Sequence, residues 1–100
     1  MTPATDGALT LSDLRARLDE VDVRLARLLA ERSRVLTQVI EFKAAHGVGP
    51  VDLQREVEML ARIEQVAVGE GLDPRVARQV LEAVIAAFTM LEREQLEPES

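Results

Sequence analysis

Eleven arginines and one lysine supply the positive charge of this 100-residue chain, and the lysine stands at Lys43. A lysine ammonium is a compact point charge with three rotatable donors, whereas arginine is a planar fork, so the two are not interchangeable in a tight site. Lys43 reads either as such a point charge or as a cation completing a helix C-terminus. Arg32 precedes it by eleven residues, close to three helical turns. Both therefore project from nearly the same side, about 16 Å apart along the axis and beside an apolar stripe. Asp52, Arg55 and Glu56 form a second charged group, with Asp52 and Glu56 at i, i+4 spacing. Each of these has a plain alternative as a solvated face or an intrahelical pair. Cations and carboxylates placed on helices suit electrostatic binding of a small polyanion better than acid–base hydrolysis.

Other chemistries find little support. The single histidine, His46, stands beside Gly47, and metal ligation would need carboxylates almost alone; a solvated helix-end imidazole is expected. Ser12, Ser33 and Ser100 have no histidine at a recognisable spacing, so a serine triad is not expected. Gly47-Val48-Gly49-Pro50 closes a helix and lacks the lysine and hydroxyl residue of a phosphate loop. The absence of cysteine excludes disulfides and thiol nucleophiles and is compatible with a cytoplasmic location.

The elements that must position the charged groups are three helices. Pro and Gly fall near the N-terminus, at Gly47, Gly49 and Pro50, at Gly69, Gly71 and Pro74, and at Pro98. Between them no segment shows strand alternation. The first helix is expected over about 11–45, with Thr10 as N-cap and Asp13 three residues on as a capping box. Leu11, Leu14, Leu18, Val21, Leu25, Leu28, Val35, Leu36, Val39 and Ile40 form its apolar stripe. The second is expected over 53–70, from Asp52 as N-cap to Gly71 as its closing glycine. The third, over 74–95, opens with an N-cap aspartate and an N1 proline, Asp73-Pro74. Residues 1–9 and 97–100 are expected as loose ends of one helical domain over 10–96. At 1.5 Å per residue the helices span roughly 50, 27 and 33 Å. The first is too long for the other two to cover in a compact three-helix bundle. Its stripe needs either a partner chain, with a symmetric dimer the economical form, or the second and third helices laid end to end in an elongated monomer.

Composition sets outer limits. With 47% hydrophobic and 30% charged residues the chain reads as one soluble domain. A net charge of −6 argues against nucleic acid or an anionic membrane as partner, and 2% aromatics leave no base-stacking platform. No apolar run approaches the ~18 residues of a membrane span. Met1 to Thr10 has neither a basic nor an apolar leader region, so a signal peptide is not expected.

Leu14-Arg15, Leu18-Asp19 with Val21-Asp22, Leu28-Leu29-Ala30-Glu31-Arg32, Phe42-Lys43, Asp52-Leu53-Gln54-Arg55-Glu56 and Gly71-Leu72-Asp73-Pro74 follow one another without gaps. In this order and spacing the chain resembles the all-helical (AroQ-class, type II) chorismate mutases over roughly residues 11–95. The resemblance implies an intertwined six-helix homodimer with two sites. It also implies the [3,3] rearrangement of chorismate to prephenate on the shikimate route to Phe and Tyr, with no cofactor and no metal. Arg15 then matches the arginine that reaches into the partner's site to hold a carboxylate. Arg32 matches the carboxylate clamp within the chain, and Lys43 the donor to the substrate's ether oxygen. Asp52 and Glu56 match the pair near the ring hydroxyl, with Arg55 supporting the anion site. Geometry agrees for Arg15, which lies about 26 Å and about 100° from Arg32 on one helix and cannot share a small ligand with it.

Two positions depart from the family pattern. Glu92 stands where a glutamine often donates to the ether oxygen, and a carboxyl group donates there only when protonated. Phe88 stands where a serine near a substrate carboxylate is common. Thr89, one residue on and about 100° round the helix, is not an obvious replacement. The same fold also carries isochorismate-pyruvate lyases and aminodeoxychorismate mutases, and a weakly active or silent dimer that docks on an aromatic-pathway enzyme is the alternative of another class.

Overall fold

A computed structural model describes residues 8–49 and 52–96 of the chain. Three helices account for most of them: α1 (Leu11–His46), α2 (Leu53–Gly69) and α3 (Pro74–Leu96). There is no strand among the described residues, so the fold is all-α. The bounds agree with those expected from sequence to within one residue at every end. The loose ends expected at 1–9 and 97–100 lie outside the described residues, apart from the exposed Ala8 and Leu9.

Local chemistry explains these limits. At the start of α1, the Thr10 hydroxyl accepts from the Asp13 N–H at 3.0 Å while the Asp13 carboxylate accepts from the Thr10 N–H at 3.0 Å. This reciprocal box satisfies two orphan donors. Asp52 caps α2 by accepting from the Arg55 N–H at 3.0 Å. Asp73 caps α3, accepting from the Arg75 N–H at 2.9 Å and gripping the Arg75 guanidinium at 2.6 Å. The Thr10 backbone N–H, then its hydroxyl, holds Asp13 below the usual carboxylate range; the Arg75 side chain, then its N–H, does the same for Asp73. Both contributions are present at neutral pH and are lost as the pH falls through the depressed values.

Two helices end on glycines in the left-handed region. Gly47 has φ +68° and Gly71 φ +75°. Past Gly47 the Val48 N–H returns to the Lys43 carbonyl at 2.9 Å, and past Gly71 the Leu72 N–H returns to the Ala67 carbonyl at 2.9 Å. Each is the long bond of a Schellman motif.

The chain divides into two units, Met1–Arg34 and Val35–Ser100. The first contains the N-terminal part of α1, exposed along its length apart from the half-buried Leu29, Arg32 and Ser33. In the second, a four-residue connection folds α3 back on α2. Ala67, Ala77 and Ile85 form its buried core, and Met59, Leu60, Ile63, Leu81, Val84 and Phe88 are half-buried around them. The two alanines lie within two turns of the connection, where small side chains let helices approach. Arg78 links the hairpin on its outside, reaching Glu64 on α2 at 3.3 Å and Glu82 on its own helix at 3.5 Å.

Gly69 and Gly71 give opposite expectations. A methyl group at either would meet nothing within 4 Å, so only backbone conformation decides. Gly69→Ala, inside the helix, should stabilise by about 0.5–1 kcal/mol. Gly71→Ala, at positive φ, should destabilise by about 1 kcal/mol or more. Urea unfolding followed by circular dichroism checks both signs.

Candidate active site

The residues singled out by sequence fall on both units. Arg15 and Arg32 belong to the first, Arg15 exposed and Arg32 half-buried. Lys43, Asp52, Arg55, Glu56, Phe88 and Glu92 belong to the second.

Within the second unit, Lys43 and Glu92 meet although 49 residues separate them. The Lys43 ammonium donates to Glu92 Oε2 at 2.5 Å, with the side chains only 16% and 9% exposed. Glu92 is the one buried charged residue among those described. Its place follows from its phase on α3: it continues the buried stripe of Ala77 and Ile85 at spacings of eight and seven residues. Lys43 occupies the last turn of α1, where Val48 fastens its carbonyl. Phe88, four residues before Glu92, is half-buried on the neighbouring edge of that stripe.

The second charged group has a different character. Asp52 is exposed and its Oδ1 is engaged by the backbone of α2. A carboxylate offers about four lone-pair sites, so the cap leaves capacity for another donor. Arg55 is exposed, one turn into α2, whereas Glu56 is half-buried on the face that α2 turns to α3. Glu56 lines an open cavity of about 610 Å³ between the two helices, together with Leu60, Ile85 and Thr89. The phase of Thr89 differs from that of Phe88, so sequence does not offer it as a replacement there. Its spacing of three residues from Glu92 places the two on neighbouring positions of α3.

His46 is exposed at the end of α1, its ring stacked on Phe42 at 4.0 Å and its Nδ1 2.8 Å from the Phe42 carbonyl oxygen. Among the described residues no cluster of His, Cys, Asp or Glu has the arrangement to hold a metal ion, and no helix is long and apolar enough to cross a membrane.

Comparison with known proteins bears on this arrangement. The profile of the family described as chorismate mutase type II matches residues 14–93. A chorismate mutase of Methanocaldococcus jannaschii is 26% identical over 87 residues, covering 87% of this chain and 88% of the relative. A 4-amino-4-deoxychorismate mutase of Streptomyces pristinaespiralis is 30% identical over 95 residues, covering 92% of this chain and 74% of the relative. A T-protein of Enterobacter agglomerans is 35% identical over 75 residues, which is 75% of this chain but 20% of that protein. No solved structure gives a significant match. With the family profile running from the first turn of α1 to the last turns of α3, the chain belongs to the chorismate mutase type II family.

Proposed function

We propose that this chain is a chorismate mutase, an isomerase that converts chorismate to prephenate, and that it works in the cytoplasm as a homodimer. The family match over residues 14–93 carries this reading. The 2.5 Å pairing of Lys43 with Glu92 supports placing the two residues at one site.

The rearrangement is unimolecular, so no nucleophile or base is required and the protein's work is positioning and electrostatics. Arg32, with Arg15 supplied by the partner chain, binds the substrate carboxylates and selects the compact conformer in which the reacting carbons approach. Arg55 supports the anion site, and Asp52 and Glu56 take the ring hydroxyl. Phe88 packs against the substrate where relatives commonly place a serine. As the C–O bond breaks, negative charge builds on the ether oxygen. Lys43 stabilises that charge more strongly in the transition state than in the ground state. Its ammonium has three donors, so one proton can stay on Glu92 while another reaches the ether oxygen. Glu92 itself assists only in its protonated form, because its carboxylate would repel the developing charge.

The exposure of α1 supports the dimer. None of its 36 residues is buried. Leu11, Leu14, Leu18, Val21, Leu25 and Leu28 are between 43% and 61% exposed. At 1.5 Å per residue α1 spans about 54 Å and α3 about 35 Å, so the hairpin is too short to cover the stripe and a second copy supplies the rest. A second substrate also has a specific observation in its favour: the relative from Streptomyces acts, by its name, on 4-amino-4-deoxychorismate. Product identification separates the two.

Purified protein should consume chorismate, followed by loss of its absorbance, and yield prephenate; absence of turnover at every pH would sink the proposal. Lys43→Ala should lower kcat by roughly 10²–10³-fold, and in Lys43→Ala/Glu92→Gln, which leaves no buried charge unpaired, the loss should persist with helical content retained. Glu92→Gln should raise turnover, because an amide N–H donates to the ether oxygen where a carboxylate repels it. A loss of turnover as large as that of Lys43→Ala would remove the donor role. Inactive Arg15→Ala and Arg32→Ala proteins, mixed in equal amounts and allowed to exchange subunits, should recover about a quarter of wild-type activity. Half of the dimers are then mixed and each mixed dimer has one intact site. No recovery would place Arg15 in its own chain's site or outside the site.

A further inference from the structure

The cavity between α2 and α3 holds a polar group to which the family resemblance assigns no role. Its volume, about 610 Å³, is in the range of small-molecule sites. Leu60 and Ile85 give it apolar walls, and Glu56 from α2 and Thr89 from α3 are the polar groups that matter here. Both are half-buried, and among the described residues neither the Glu56 carboxylate nor the Thr89 hydroxyl makes a side-chain hydrogen bond. A helical threonine commonly returns its hydroxyl to the carbonyl one turn back. Thr89 does not, and a partly buried hydroxyl without a partner is a group waiting for a ligand or water. Three residues on, on the same face of α3, stands Glu92, bonded to Lys43. Thr89 therefore shares its cavity with the carboxylate assigned to the ring hydroxyl and stands one turn before the glutamate assigned to the ether oxygen.

We infer that Thr89 is a substrate-binding residue that fixes specificity for the ring hydroxyl, an assignment resting on the mutase reading above. The donor and acceptor balance supports it. Ionised Glu56 is an acceptor only, so it takes the proton of the ring hydroxyl and leaves the hydroxyl oxygen in need of a donor. The Thr89 hydroxyl donates to that oxygen. A substrate without the ring hydroxyl leaves both protein groups unpaired, and a site built to bond a hydroxyl discriminates strongly against such an analogue.

The test compares kcat/KM for chorismate and for a chorismate analogue lacking the ring hydroxyl. Thr89→Val keeps the shape and deletes the donor, and Thr89→Ser keeps the donor. Thr89→Val should lower kcat/KM for chorismate roughly five- to tenfold, the scale of one net hydrogen bond. It should leave the analogue within about twofold of wild type, and Thr89→Ser should stay close to wild type on chorismate. Equal losses on both substrates, or no loss on chorismate, with the wild-type protein active, would overturn the Thr89 assignment alone. Wild-type protein inactive on chorismate would overturn the mutase reading and the assignment with it.

Discussion

A carboxylate on the buried face of a helix is the constraint around which the second unit is arranged. Glu92 shares its stripe with Ala77 and Ile85, so α3 cannot turn Glu92 to solvent without exposing its own core. A charge so placed must be paired, because an isolated buried ion is far more costly than a paired one. The lone lysine of the chain meets that need from the last turn of α1. Lys43 is itself fixed by the termination of its helix. Gly47 at positive φ lets the chain reverse, and Val48 then takes the Lys43 carbonyl. The glycine, the cap and the pair are one device.

Such a pair is weak evidence for stability, since two apolar residues in its place often serve as well. Arginine would present a rigid planar fork matched to the Glu92 carboxylate, whereas lysine brings a compact charge with three rotatable donors. The choice of cation at position 43, odd in a chain that otherwise uses arginine, places a point charge rather than a fork against the buried Glu92 carboxylate.

Local signals in the sequence were read almost completely. Thr10 with Asp13, Asp52, and Asp73 with Pro74 announce helix starts because each cap is satisfied within three residues, and Gly47 and Gly71 announce ends because only glycine takes positive φ freely. Distance along the chain hid the rest. Nothing in the periodicity of α1 or α3 pairs residue 43 with residue 92; that came from resemblance. The Arg78–Glu64 link across the hairpin had no sequence signal. Thr89 was judged by its phase relative to Phe88, when the relation that mattered was to Glu92 on its own helix and to Glu56 across the cavity. Asp52 carried two readings, cap and substrate contact, and its cap is formed.

Net charge and site charge act over different distances. The chain carries −6 overall, which taken alone opposes a dianionic substrate. At physiological ionic strength, however, exposed charges are largely screened beyond about 8 Å. All twelve cations lie on the three helices, six of the arginines on α1, and the helices carry twelve carboxylates between them, so the excess of six negative charges belongs to residues outside the helices. A small anion held by arginine or lysine side chains meets those cations at hydrogen-bond distance, where desolvation strengthens each interaction and solvent screens it least. Global charge therefore bears on how fast the substrate arrives and on which polymers stay away, and the few cations at contact distance decide whether it stays.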